Sequence, residues 1–115
     1  HKVFAGHNHA DFDILFLRTA ANKYGLKLSV SRRVVDLHTI CFYHFLRRGL
    51  NPYDAEKKSI INADKVFEYV GLPKEPKPHH ALNGAKFEAE SLSRLIYGKN
   101  LLKEFSQFKV PEYLK

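Results

Sequence analysis

The chain has 115 residues, 44% of them apolar and 27% charged, which excludes a disordered chain and leaves room for one domain with one modest core. No apolar run approaches the ~20 residues that a membrane helix needs, and no signal-peptide pattern opens the chain, so no membrane partner is expected. A net charge of +7 suits a polyanionic partner, and the single cysteine, Cys41, excludes an intramolecular disulfide and points to a reducing, cytoplasmic compartment. Cys41 sits among Ile40, Phe42 and Phe45, the setting of a small buried hydrophobe. The chain opens on His1 and contains no methionine, as expected of a piece of a longer domain.

Val3-Phe4-Ala5 reads as a buried strand, within residues 2–6, running into the polar turn Gly6-His7-Asn8-His9. A helix is predicted over 11–24, with Gly25 as its C-terminal cap. Leu26 to Ser31 is a connection in which the alternation of Leu26, Leu28 and Val30 leaves a short strand open. Arg33-Val34-Val35-Asp36 has the β-branched content of a second strand near 32–36. A second helix follows over 37–48, then a polar loop opened by Asn51-Pro52. Asn62 caps a short helix over 62–70 with Val66, Phe67 and Val70 as its apolar face. Pro73 to Pro78 carries three prolines in six residues and is an extended connector. The most periodic segment, 81–97, places Leu82, Ala85, Ala89, Leu92 and Ile96 on one apolar stripe, and Gly98 ends it. Leu101 to Phe105 adds a turn, and Val110 to Leu114 is a tail. Two strands among four or five helices make a poor sheet by themselves, so the remaining strands are expected upstream or from a partner chain.

Few residues carry chemistry. Asp13 projects with Leu17, Ala20 and Tyr24, read as the inner face of the first helix. There it is either a carboxylate favoured by the helix dipole or a metal ligand. His79 and His80, after the proline-rich connector, are either exposed or include a general base. His7, His9, Asp11 and Asp13 are set aside as a transition-metal cluster, because alternate residues of a strand and turn point apart. Phosphate-binding glycine loops, paired zinc cysteines and a serine elbow are all missing from the sequence. The pairs Arg32-Arg33, Arg47-Arg48 and Lys57-Lys58 read as solvated faces.

Three segments together resemble the DEDDh 3′–5′ exonucleases, a family with a ribonuclease H-like fold. Val3 to Leu17 resembles the family's second motif, a strand ending in a His-Asn turn with a Phe-Asp pair opening the next helix. Val34-Val35-Asp36 and its helix are similar to the strand that follows. Pro78-His79-His80-Ala81-Leu82-Asn83-Gly84-Ala85 resembles the third motif, a histidine, then Ala-Leu, then an aspartate five residues after the histidine. The resemblance implies an α/β fold, a partial ribonuclease H-like one, with residues 1–115 forming the C-terminal part of a single domain.

It further implies Asp13 as a metal-binding carboxylate and His79 as general base. The cofactors implied are two divalent ions, Mg²⁺ or Mn²⁺, and the reaction is phosphodiester hydrolysis at DNA or RNA 3′ ends. The 115 residues alone are expected to be inactive, because the family's first motif, Asp-x-Glu on the opening strand, has no counterpart among them. The aspartate expected after His79 is Gly84. Glu88 lies four residues on, roughly 40° round the helix and ~6 Å along it. It is read either as a ligand reaching back over Gly84 or as a solvated helix residue. The rival expectation is a non-catalytic nucleic-acid-binding module that kept the fold and lost the metal site. A protein-interaction domain unrelated to nucleases is the third.

Overall fold

Residues 2–115 are described by a computed structural model. Strand β1 (Lys2–Gly6) leads through helix α1 (Asp13–Lys23) to strand β2 (Val30–Asp36). Helices α2 (Leu37–Arg47), α3 (Ala63–Tyr69) and α4 (Ala81–Tyr97) follow, then two short 3₁₀ turns at Lys103–Phe105 and Glu112–Leu114. The two strands are parallel neighbours, with Phe4 opposite Val34, Ala5 opposite Val35 and Gly6 opposite Asp36. Parallel neighbours need a crossover between them, and α1 supplies it. Both expected strands and all four principal helices are therefore present, in one mixed α/β unit with a two-stranded sheet.

Local chemistry starts the helices where the sequence indicated. Asp36 caps α2, accepting from the Thr39 backbone N–H at 3.0 Å and the Thr39 hydroxyl at 2.7 Å. Asn62 caps α3, accepting from the Lys65 N–H at 2.8 Å. Asp36 does a second job: its other oxygen accepts from the Asn8 N–H at 2.8 Å, pinning the turn after β1 to the head of α2. Burial would raise the Asp36 pKa, but these donors outweigh it and hold the carboxyl below its ordinary value.

The core lies between the helices rather than on the sheet. Leu37, Cys41 and Phe45 of α2 meet Val66, Phe67 and Val70 of α3 and Phe87 and Leu95 of α4. Each such side chain, once buried, contributes about 1.5–3 kcal/mol. Phe105, Val110 and Leu114 belong to the same cluster, so the final segment is a packed part of the core and not a tail.

Two predicted faces are wrong. In α4 the buried positions are Phe87, Glu90, Ser91, Ser93, Arg94 and Leu95, while Leu82 and Ile96 are exposed. A buried ion pair, Arg94 Nε to Glu90 Oε1 at 2.8 Å, sits in the middle of the packed face. Apolar periodicity cannot register such a pair, so it selected the neighbouring stripe. In α1, which begins at Asp13 rather than at 11, Ile14 and Ala21 are buried and Leu17 and Tyr24 are exposed. Asp13 is itself exposed and does not head an inner stripe. β1 is also less buried than expected, with Val3 57% exposed, because the described sheet has no further strand beside it.

Candidate functional site

The first residue of α1 and the head of α4, with the connector before α4, border an open cleft of about 510 Å³. Asp13 enters it from the first residue of α1, and Glu88 from the second turn of α4. His79, His80 and Glu75 come from the connector before α4, and Gly84 and Ala85 form part of the wall. The three residues singled out from sequence line a single cleft, Asp13 from the head of α1 and His79 and Glu88 from the connector and helix α4 that follow one another in the chain.

Glu88 is the most constrained of them. Burial pushes its pKa up, and the charges of Asp13 and Glu75 push the same way. The His7 backbone N–H, which donates to the carboxylate, and His9 act in the opposite direction. The β1 backbone passes close by: a side chain begun at Gly6 would stand 3.1 Å from Glu88 Oε2 and 3.3 Å from the His9 ring. Gly6 is therefore where the strand, the turn histidine and the helix carboxylate meet.

His9 is 6% exposed, and neither ring nitrogen has a hydrogen-bond partner. Its turn-mate His7 lies differently, with Nε2 3.2 Å from the Ile61 carbonyl oxygen. Burial lowers the His7 pKa despite that bond and the nearby Asp36. His79 stands at the mouth of the cleft, its side chain 68% exposed and its Nδ1 3.4 Å from Glu75 Oε2.

Glu75 is the site residue that sequence reasoning missed. Its side chain is only 12% exposed, although it lies in a surface connector. Its signal was slight: it is the one acidic residue between Pro73 and Pro78. Among the described residues, no three His, Cys, Asp or Glu side chains stand close enough together to hold an ion as they are placed. The donor chemistry nonetheless suits a hard divalent cation, since the cleft gathers three carboxylates and no thiolate.

A second cleft, apolar and also of about 510 Å³, adjoins the first at Ala85 and Glu88. It runs along α4 over Ala5, Gly6 and Val35 and is lined by Ala89, Leu92 and Ile96. The stripe of α4 that periodicity marked as core lines this groove.

Comparison with known protein families, with curated proteins and with solved structures finds no match to this chain.

Proposed function

We propose that this chain is part of a two-metal 3′–5′ exonuclease domain of the DEDDh kind, with a ribonuclease H-like fold and a DNA or RNA 3′ end as substrate. The observation that supports it is the shared cleft of Asp13, His79 and Glu88. Asp13 and His79 were chosen from motif spacing and Glu88 from helix geometry beyond Gly84, and they meet in a fold whose neighbouring parallel strands join through α1.

Asp13 and Glu88 are the residues that would hold divalent ions, Mg²⁺ or Mn²⁺. The chemistry such ions supply is polarisation of the phosphodiester and a lowered pKa for attacking water. His79, exposed at the cleft mouth with one ring nitrogen facing Glu75, leaves its other nitrogen free to take the proton of that water. The net charge of +7 over the whole chain suits a polyanionic partner.

The set of carboxylates is incomplete in these residues, so activity requires a further strand bearing Asp-x-Glu, from the same protein or a partner chain. The apolar groove between α4 and the strands, and the exposed Val3, suit the addition of such a strand. This accounts for an apolar stripe on α4 that the described residues cover only in part, with Ile96 exposed and Ala89 and Leu92 half-buried.

The test is shortening of 5′-labelled single-stranded DNA and RNA oligonucleotides by the protein as the cell makes it, with Mn²⁺ supplied. The reading expects stepwise loss from the 3′ end, abolished in Asp13→Asn and slowed ~10²–10⁴-fold in His79→Ala. Gly84, in place of the third motif's aspartate, favours the second reading, a nucleic-acid-binding module without catalysis. Tight, salt-dependent oligonucleotide binding with no shortening would establish that reading instead.

A further inference from the structure

We propose that the end of α2 carries a binding surface for single-stranded nucleic acid, on which Arg47 and Arg48 hold phosphates and the Tyr43 ring stacks on a base. The inference stands apart from the cleft: it needs no metal, no catalysis and none of the residues that line the cleft.

Three pairs of adjacent basic residues occur along the chain, Arg32-Arg33, Arg47-Arg48 and Lys57-Lys58, and the structure sets one of them apart. Lys58 pairs with Glu56 at 2.9 Å in an exposed loop. Among the described residues, neither Arg32 nor Arg33 stands over an aromatic ring. Arg47, by contrast, donates from Nη1 to the Tyr43 hydroxyl at 3.0 Å, with its guanidinium carbon 5.9 Å from the centre of that ring. The guanidinium carbon of Arg48 lies 3.7 Å from the centre of the Tyr113 ring and 5.5 Å from that of Tyr69.

The rings beneath the two arginines form a continuous row. Tyr43, His44, Tyr69 and Tyr113 succeed one another with centres 6.3, 6.2 and 5.1 Å apart. The middle of the row is fixed to the core, since Tyr69 is buried and His44 Nε2 lies 2.9 Å from the Leu95 carbonyl oxygen of α4. Its two ends, Tyr43 and Tyr113, are exposed.

No carboxylate pairs with either arginine among the described residues. Glu68 and Glu112, the acidic residues that precede Tyr69 and Tyr113, are taken by lysines. Glu68 meets Lys65 at 3.2 Å, and Glu112 meets Lys115 at 3.0 Å and Lys109 at 3.6 Å. The dipole of α2 favours cations at this end, but it gives no reason for a tyrosine beside each of them. A stacked guanidinium keeps a fixed plane and an open N–H edge, a fork that matches two phosphate oxygens. Exposed tyrosine beside such forks offers a base a flat face to stack on, and cation and ring in alternation suit a polymer of phosphates and bases. A duplex hides its base faces, so the partner is a single strand.

The experiment is fluorescence anisotropy of labelled oligothymidylate and oligouridylate with the protein as the cell makes it, in EDTA, across a range of salt. Arg47→Gln with Arg48→Gln is expected to weaken binding ~10-fold or more at ~0.1 M salt. It should also flatten the plot of log affinity against log salt by ~1.4, about 0.7 for each phosphate released. Tyr43→Leu is expected to weaken binding ~5-fold or more with the slope unchanged. The three side chains are exposed, and circular dichroism checks that the fold is kept. Arg32→Gln with Arg33→Gln removes the same charge where no ring is present and is expected to cost far less. Equal losses in the two double variants would leave only general charge attraction and overturn the inference. So would full affinity in either Arg47→Gln with Arg48→Gln or Tyr43→Leu, or wild-type protein that binds neither oligonucleotide. Vesicles of phosphatidylserine and phosphatidylcholine supply the competing partner. A loss confined to vesicle binding, with oligonucleotide affinity unchanged, overturns the inference in favour of a lipid surface. The exonuclease reading is decided separately, by shortening.

Discussion

Replacing Arg94 by methionine would remove the polar centre of the face on which α4 packs. Arg94 is fully buried and donates from Nε to Glu90 at 2.8 Å, from Nη1 to the Val70 carbonyl at 3.0 Å, and from Nη2 to the Phe105 and Phe108 carbonyls at 3.2 and 2.8 Å. One side chain thus ties α4 to the end of α3 and to the segment after α4. Methionine fills similar volume but leaves Glu90 without its cation and the Val70 and Phe108 carbonyls without this donor, a loss of roughly 3–5 kcal/mol. A domain of this size has about 6–17 kcal/mol in total. The expected fall in Tm is therefore roughly 12–20 °C, at about 4 °C per kcal/mol. The assay is urea unfolding followed by far-UV circular dichroism, with thermal melts alongside. Adding Glu90→Gln to Arg94→Met should recover part of the loss, because Gln still accepts from the Leu101 and Leu102 N–H groups that bond Glu90 at 2.9 and 2.8 Å. A loss below ~1 kcal/mol for Arg94→Met would refute the reasoning, since a buried ion pair broken on one side cannot cost so little.

The titration of Glu90 gives a second expectation. Burial raises its pKa, but the Leu102 N–H, Arg94, Leu101 N–H and Asn100 together hold it below 4.5. Its contribution is therefore fully present above pH 4.5 and lost as pH falls through the folded value, so Glu90→Gln should flatten the acid limb of the stability curve. Glu88 has the opposite sign: its folded pKa is raised, so its contribution is present below 4.5 and lost as pH rises through the folded value. With chelator present, Glu88→Gln should gain on wild type as pH climbs from 4 to neutrality, measured as Tm against pH; parallel curves would contradict this. Cys41, buried with its thiol pKa raised to about 12, should resist thiol reagents at pH 8 until the protein unfolds. Stoichiometric labelling of native protein within minutes would show that α2 opens. Gly98→Ala should cost roughly 2 kcal/mol or more, since φ is +63° and the added carbon would meet the Leu114 backbone oxygen. An unchanged urea midpoint would mean that the final segment is not docked there.

Element boundaries were legible because local chemistry sets them. Asp36 and Asn62 satisfy the first N–H groups of α2 and α3 from their own side chains, and Gly98 closes α4 in a conformation that other residues rarely adopt. The parallel pairing of β1 with β2 is compatible with the helix α1 between them, since parallel neighbours need a crossover of that kind. Asp13, His79 and Glu88 were singled out through the resemblance to the exonuclease motifs, since position alone left each of them open to a solvated or exposed reading. The tertiary structure alone decided which face of each helix is buried. Hydrophobic periodicity weighs Leu92 and Ile96 above Arg94 and Glu90, yet the charged pair is buried because its hydrogen bonds are made by segments folding back from far along the chain. Glu75 was hidden for the same reason. Nothing beside it in the sequence says that the connector turns its one carboxylate inward over Gly84, a contact made only when the connector folds against the head of α4.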